Sequence, residues 1–276
     1  MASPFWSLRT QYAARNSWSV CHDAPCPGRG REWRIDPPDP AIALALERLT
    51  IPLMAHTPPP PTLGLTGGIA SGKSTVARIL RDEGCVVADS DELARQAYND
   101  PEIRAQLLAW WGDRVRECHS SHAPPDGMPP PIDRRAVAEI VFASPAERAR
   151  LEALVHPWIA RRREALFAAA PPGTRALVID APLLHEAGLT GQCDRVIFVE
   201  TPEEVRVSRA RAARGWGVAE LARREAAQWP LDRKRALADH VIRNDGDPAS
   251  LRAQVRAVLD EVSSVRGGAG SAGPAS

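Results

Sequence analysis

The amino-acid sequence predicts an α/β fold: a parallel five-stranded sheet with flanking helices, an inserted helical unit and a lid-like segment. Three observations carry that prediction. Short apolar, β-branched runs alternate with longer stretches of helical spacing, the pattern of strands buried on both faces. Several of these runs end in an acid, and ligands of open parallel sheets gather at strand carboxyl ends. The first run leads directly into Gly67-Gly68-Ile69-Ala70-Ser71-Gly72-Lys73-Ser74-Thr75, after which helical spacing begins.

The elements follow in order. Thr62–Thr66 reads as the first strand, and a helix is expected from about Gly72 to Glu83. Cys85–Ala88 is a second strand-length run, closed by Asp89. Helical spacing dominates 91–111 and 133–168, broken by a Pro/Gly loop near 124–131. The stretch 101–168 has no strand signal and reads as an inserted helical subdomain. Ala176–Ile179 and Arg195–Val199 are two further strands, ended by Asp180 and Glu200. Helices are expected over 202–213, 217–228 and 248–262, with a last strand at His240–Arg243.

The flanks read differently. Residues 1–61 hold isolated tryptophans and a Gly-Arg run, with little periodicity. They are expected to be a disordered extension, or translation from a start placed too early, with Met54 opening a compact alternative. The first 22 residues also suit an organellar transit peptide loosely, since they lack acids and carry Arg9 and Arg15. Residues 264–276 are rich in Gly, Ser and Ala and are expected to form a flexible tail.

Composition narrows the function classes. A chain of 276 residues can bury one sizeable core, or one core and a smaller cap. A formal net charge of +1 gives no global attraction to nucleic acid or to a membrane surface, so any basic site is local. No apolar run approaches the ~20 residues that span a bilayer. The five cysteines are scattered without a C-x-x-C pair, which argues against a disulfide framework or a thiolate zinc site and for a reducing cytoplasm. Cys118, His119 and His122 lie beside the Pro-rich loop without a fourth ligand, and their closeness is read as chance.

The glycine-rich run matches G-x-x-x-x-G-K-[ST] at every fixed position, with a strand before it and a helix after. Its glycines let the backbone turn amides inward around phosphates, and the helix N-terminus adds a partial positive charge. Lys73 can reach the β- and γ-phosphates, and the Ser74 hydroxyl can ligate Mg²⁺. Residues 67–75 are therefore expected to bind a nucleoside triphosphate. The loop alone leaves water, protein and small-molecule acceptors open.

The other strand ends supply acids. Asp89 and Asp91 stand two residues apart where a strand gives way to a helix. One can accept the proton of an attacking hydroxyl while the other orients it, although helix capping by Asp89 or Ser90 explains the pattern as well. Asp180 has the place of a strand-end acid near Mg²⁺, with turn initiation as the alternative. Arg206, Arg209, Arg211 and Arg214 fall on a helical spacing and continue into Arg223 and Arg224. They form either a solvated basic face or a lid that clamps the transferring phosphate. Glu203, Glu204, Glu220 and Glu225 among them argue against a nucleic-acid surface. His156, before Pro157, is either a substrate-facing histidine or a residue satisfied at a helix start.

Taken together, residues 64–95 resemble the opening of the dephospho-CoA kinase family. The resemblance continues through Ile132-Asp133-Arg134-Arg135, Leu154-Val155-His156-Pro157, Asp180-Ala181-Pro182-Leu183-Leu184, the Arg209–Gln228 stretch and Ala238–Gly246, covering about 62–260. It implies a P-loop NTPase fold of the nucleoside-monophosphate-kinase type, over 62–263. It also implies transfer of the γ-phosphate of ATP to the ribose 3′-hydroxyl of dephospho-coenzyme A, with Mg²⁺. On that resemblance Asp91 is the base, Arg209 and Arg214 are lid arginines (lid about 206–228), and Asn244 lies near the adenine. His156 and the 101–168 subdomain seat the acceptor. A monomer or weak homo-oligomer is expected, without nucleic-acid or membrane partners.

The sequence departs from the family pattern at His185, where an aromatic is common, and in a long Pro-rich loop, Glu117–Pro131. Rival readings are another small-molecule P-loop kinase, a GTPase switch and a non-catalytic nucleotide-binding regulator. The Asn-Lys-x-Asp motif of the switch is absent.

Overall fold

The structure, a computed structural model, describes residues 59–117 and 128–268. The expectations for residues 1–58, for Cys118, His119 and His122, for most of the Pro-rich loop and for 269–276 lie outside the described residues.

Five parallel strands form one sheet in the order β2-β3-β1-β4-β5. They are β1 (Thr62–Gly67), β2 (Val86–Asp89), β3 (Leu177–Asp180), β4 (Arg195–Glu200) and β5 (His240–Arg243). From the central β1 the chain passes to the β2 edge, returns through β3, then crosses to β4 and β5 on the other side. This reversal puts a topological switch point at the carboxyl end of β1, where open parallel sheets bind ligands. The register sets Asp180 level with both Asp89 and Leu65. The acids expected at the rim are therefore direct neighbours across β2 and β3.

The first helix, α1 (Lys73–Asp82), buries Val76, Ala77, Ile79 and Leu80, the i, i+1, i+3, i+4 face that covers the sheet. On the same sheet face α9 (Pro248–Gly268) packs against α1 and β5, and Leu251, Val255 and Leu259 complete the main core. This closing helix runs through Gly268, past the end expected near 262, so the start of the expected tail is helical.

The helical unit comprises α2 (Ser90–Ala97), α3 (Pro101–Trp111), α4 (Arg134–Ala143) and α5 (Pro145–Ala168). Its ends are written in the sequence. Asp100 caps α3 with Pro101 in its first turn, and Ser144 caps α5 with Pro145 in the same position. The unit has its own core, built on Ile103, Leu107, Trp111, Val115, Val137 and Val155. Two indole N–H groups tie α3 to α5: Trp158 donates to Asp100 at 2.8 Å and Trp111 to Glu147 at 2.9 Å. A short antiparallel bridge between Arg116 and Ile132 closes the unit, a pairing the sequence did not signal.

Of the two readings of His156, the helix-start one is excluded. The helix α5 continues for 24 residues through Pro157, so His156 does not sit at a helix start. Proline lacks the N–H that would bond the carbonyl four residues back, yet the flanking turns hold because Val155, Trp158 and Ile159 are anchored in the unit's core.

After β4 come α6 (Glu203–Arg214) and α7 (Val218–Glu225), joined through Gly215-Trp216-Gly217. Gly215 adopts the left-handed conformation that ends α6, φ +69°. A helix missing from the sequence reading, α8 (Leu231–Ala236), follows after Pro230.

Candidate active site

The loop between β1 and α1 wraps around its own backbone. Gly72 takes a left-handed conformation at φ +81°, and Ala70 is the non-glycine residue held at positive φ among the described residues, φ +59°. Ser71 N–H bonds back to the Gly68 carbonyl at 3.2 Å. The amides of Ile69, Ala70, Gly72, Lys73 and Ser74 donate to no carbonyl or side chain among the described residues, which leaves a nest of free donors at the helix N-terminus. Such a nest binds phosphate oxygens.

The loop is held from below through one carbonyl. Ser71 C=O accepts from Asn244 Nδ2 at 2.7 Å, from Thr201 Oγ1 at 2.9 Å and from an Arg209 guanidinium nitrogen at 3.4 Å. Thr201 and Asn244 stand just beyond the ends of β4 and β5, so the strand ends on that side brace the loop. Gly72 is required twice over: a Cβ there would lie 2.1 Å from Asn244 Nδ2, and its φ disfavours any side chain.

Above the loop opens a cavity of about 810 Å³ lined by Gly68–Ser74, Asp89, Asp91, Asp180, Arg214, Trp216, Arg223, Arg224 and Gln228, among others. The Lys73 ammonium is paired with Asp180, whose carboxylate is 2% exposed. Burial pushes the Asp180 carboxyl above its ordinary range; Lys73 pulls it back, and Asp89 and Asp91 push it further up. The two acids of the Asp89–Asp91 pair divide their work. Asp89 caps α2, accepting from Glu92 N–H at 2.9 Å, so the capping alternative describes it. Asp91, in the first turn of α2, has no hydrogen-bond partner among the described residues and faces the cavity with a free carboxylate.

On the opposite wall α7 presents its arginines. Glu220 accepts from Arg223 at 2.9 Å and from Arg224 at 2.6 Å, and these bonds bring its carboxyl down to about 2. Trp216 is flanked by Arg214 and Arg224 at 4.8 and 4.0 Å from its ring centre, which packs the planar guanidiniums against an apolar face. Arg206 is buried instead, paired with Glu225 and bonded to the Thr201 carbonyl.

A family model described as Dephospho-CoA kinase matches residues 61–250 of this fold and its rim. The chain belongs to the dephospho-CoA kinase family. It is 41% identical over 199 residues to the Dephospho-CoA kinase of Synechococcus sp. (strain CC9605), covering 71% of this chain and 91% of that one. The Geobacillus kaustophilus (strain HTA426) Dephospho-CoA kinase is 37% identical over 205 residues, covering 72% and 96%. The crystal structure of TT1252 from Thermus thermophilus superposes with a TM-score of 0.60 at 36% identity, covering 73% of this chain and 97% of that one. Dephospho-CoA kinase from Campylobacter jejuni superposes at a TM-score of 0.50 and 23% identity, covering 75% and 100%, a likeness of fold.

The site residues expected from the sequence fall into three places. Residues 68–74, Asp91, Asp180 and Arg214 share the cavity. Gly67 ends β1, and Thr75, Arg209 and Asn244 lie outside the cavity lining, the last two beneath the loop. His156 is exposed on α5 and does not line the cavity. The departure at His185 is filled by a ring after all: the imidazole is buried and stacks on Trp229, 5.9 Å between centres and 8° between planes. Thr201 escaped the sequence reading, although its place one residue past β4 is the signal that could have found it.

Proposed function

We propose that the cavity above the phosphate loop carries out the family's reaction, transferring the γ-phosphate of ATP to the ribose 3′-hydroxyl of dephospho-coenzyme A to give coenzyme A and ADP. The observation that supports it is the convergence on one cavity of the free loop amides, the Lys73–Asp180 pair, the unpartnered Asp91 and the α7 arginines.

In this reading residues 67–75 hold the triphosphate through backbone amides, and Lys73 shifts from Asp180 toward the β- and γ-phosphates. Asp91 accepts the proton of the 3′-hydroxyl as its oxygen bonds to the γ-phosphorus. The bond from that phosphorus to the β–γ bridging oxygen breaks, and ADP leaves with the electron pair. Arg214, with Arg223 and Arg224, neutralises the charge spread over the transferring group. Arg209 and Asn244 serve the nucleotide by fixing the loop through Ser71. His156 and the 101–168 unit belong to the acceptor side.

Mg²⁺ suits the site's chemistry. Ser74, Asp180, Asp89 and Asp91 offer hard oxygens around the cavity, whereas no cluster of three His, Cys, Asp or Glu able to hold a metal occurs among the described residues. Mg²⁺ is commonly held in this way, by one or two protein oxygens, substrate phosphates and water. Ser74 and Asp180 are its proposed holders, and the ion when bound offsets charge on the phosphate oxygens.

The reading extends to an enzyme acting in the cytoplasm as a monomer or weak homo-oligomer. Burial raises the Cys85 and Cys193 thiols to about 11, so both are protonated and inert at neutral pH, as suits a reducing compartment. No helix of the described residues is long and apolar enough to cross a membrane.

The test is ATP consumption and coenzyme A formation by purified protein with and without dephospho-coenzyme A. Stoichiometric ADP and coenzyme A are expected, and ATP use independent of the acceptor overturns the reading.

A further inference from the structure

Lys234, on α8, is completely buried, although Arg233 and Arg235 beside it are exposed. An ammonium out of water costs several kcal/mol unless its partners compensate. Three partners surround it: it donates to the Pro182 carbonyl at 2.9 Å and to Gln228 Oε1 at 3.2 Å, and it pairs with Glu186 Oε1 at 2.8 Å. Those partners belong to two segments, Pro182 and Glu186 to the turn after β3 and Gln228 to the stretch past α7. Pro182 lies two residues past Asp180 and lines the cavity, and its carbonyl also accepts from Thr66 Oγ1 at 3.4 Å. Gln228 also lines the cavity, just past α7 and its arginines. Glu186 accepts a second bond from Trp229 N–H at 2.9 Å, which doubles the tie to the same segment.

We propose that Lys234 is a positioning residue for phosphoryl transfer: its ammonium fixes the turn that follows Asp180 against the root of the α6–α7 hairpin. Having no exposed surface, it touches neither substrate. It sets the distance between the Lys73–Asp180 side of the cavity and the arginine side, so that both face the γ-phosphate together. An apolar side chain fills such a volume at lower desolvation cost. A cation with several donors can hold a carbonyl, a carboxylate and an amide oxygen from two segments at once. The inference rests on the proposed reaction, and wild-type turnover in the same assay tests that reading separately from the variant-to-wild-type ratio tested here.

Lys234→Met combined with Glu186→Gln removes both charges at similar volume. The expected result is a melting midpoint within about 4 °C of wild type, unchanged ATP affinity, an unchanged KM for ATP and a kcat lowered by about 10- to 100-fold, the loss that misplaced reacting groups produce. Normal kcat in a folded double variant overturns the proposal. Should that variant fail to fold, Gln228 decides. Gln228→Leu deletes one arm of the clamp and is expected to lower kcat at an unchanged KM for ATP. A raised KM for ATP with kcat unchanged would assign Gln228 a direct contact with the nucleotide and overturn the positioning role. Wild-type kcat in Gln228→Leu would overturn it too.

Discussion

The Lys73 ammonium meets the Asp180 carboxylate where the phosphate loop turns over the end of β3, and the carboxylate is 2% exposed while the lysine keeps 17% of its surface open to the cavity. The asymmetry dictates different outcomes for the two partners. Asp180→Asn removes a buried charge and leaves a lysine that the cavity can still hydrate, so stability is expected to hold or rise. Turnover is expected to fall by about 10²-fold, the scale of losing one well-aimed electrostatic group. Lys73→Ala strands the buried acid and removes the cation reaching the phosphates, so both turnover and melting temperature are expected to fall. Thermal melts beside steady-state kinetics of the two variants check this. An unstable but active Asp180→Asn would contradict it.

Asp91 is free where Asp89 is occupied. Asp89 Oδ1 accepts from Glu92 N–H, and the Asp91 carboxylate has no described partner. Asp91→Asn is therefore expected to keep the fold and ATP binding while kcat falls by about 10²- to 10⁴-fold, the range of a lost general base. Asp89→Asn keeps a capping oxygen and is expected to cost much less. Nucleotide titration and single-turnover transfer measure the two effects apart. Near-normal transfer by Asp91→Asn removes it as the base.

Much of this site was legible in the sequence, and the rest was not for physical reasons. The phosphate loop declares itself because only glycine tolerates the φ of +81° at position 72 and only a strand–turn–helix context aims its amides at phosphate. Asp89, Asp91 and Asp180 were legible as strand-end residues, and the register Asp89–Asp180 brings them together. The breaks at Asp100-Pro101 and Ser144-Pro145 lie inside runs read as helical over 91–111 and 133–168; capping chemistry marks them, whereas the spacing does not. Lys234 was not legible. A lysine in a basic run reads as solvated, and only tertiary packing of α8 against the Pro182 turn withdraws it from water. The continuity of α5 through Pro157 agrees with the helical spacing read over 133–168, and core contacts on either side outweigh the local preference of Pro157 to break it.

The bracing of the loop from below gives a third expectation. In Gly72→Ala the new Cβ meets Asn244 Nδ2 at 2.1 Å, and φ there stays in the left-handed region. The left-handed conformation alone costs about 1–2 kcal/mol for a residue with a Cβ. ATP affinity is expected to fall by at least about tenfold, since each 1.4 kcal/mol is a factor of ten. Asn244→Gly removes the collision but also the Ser71 brace, so Gly72→Ala is expected to cost less affinity when added to Asn244→Gly than when added to wild type. Calorimetric titration with a non-hydrolysable ATP analogue measures both. No cost in the Asn244→Gly background would make the collision the whole effect, and an unchanged cost would make it none of it.

His185 gives the fold a pH dependence of defined sign. Its ring is buried against Trp229, with Nδ1 at 3.2 Å from Thr190 Oγ1 and Nε2 without a described partner. Burial, first, holds its pKa below the ordinary histidine value; Lys234 and Arg233 add to the depression, and Glu186 opposes it. The unfolded chain therefore takes up a proton near about pH 6.5 that the folded chain resists. Stability from this group is fully present above that pH and is lost as pH falls through the folded pKa. His185→Phe keeps a ring on Trp229 and deletes the titration. Its unfolding free energy is expected to fall less steeply than that of wild type from about pH 7 to about pH 5, while any other titrating group contributes equally to both proteins. Denaturant titrations of the two proteins across that range measure the difference in slope. Parallel slopes would show that the imidazole protonates as easily in the folded chain as in the unfolded one, and the burial of its ring would then carry no charge penalty.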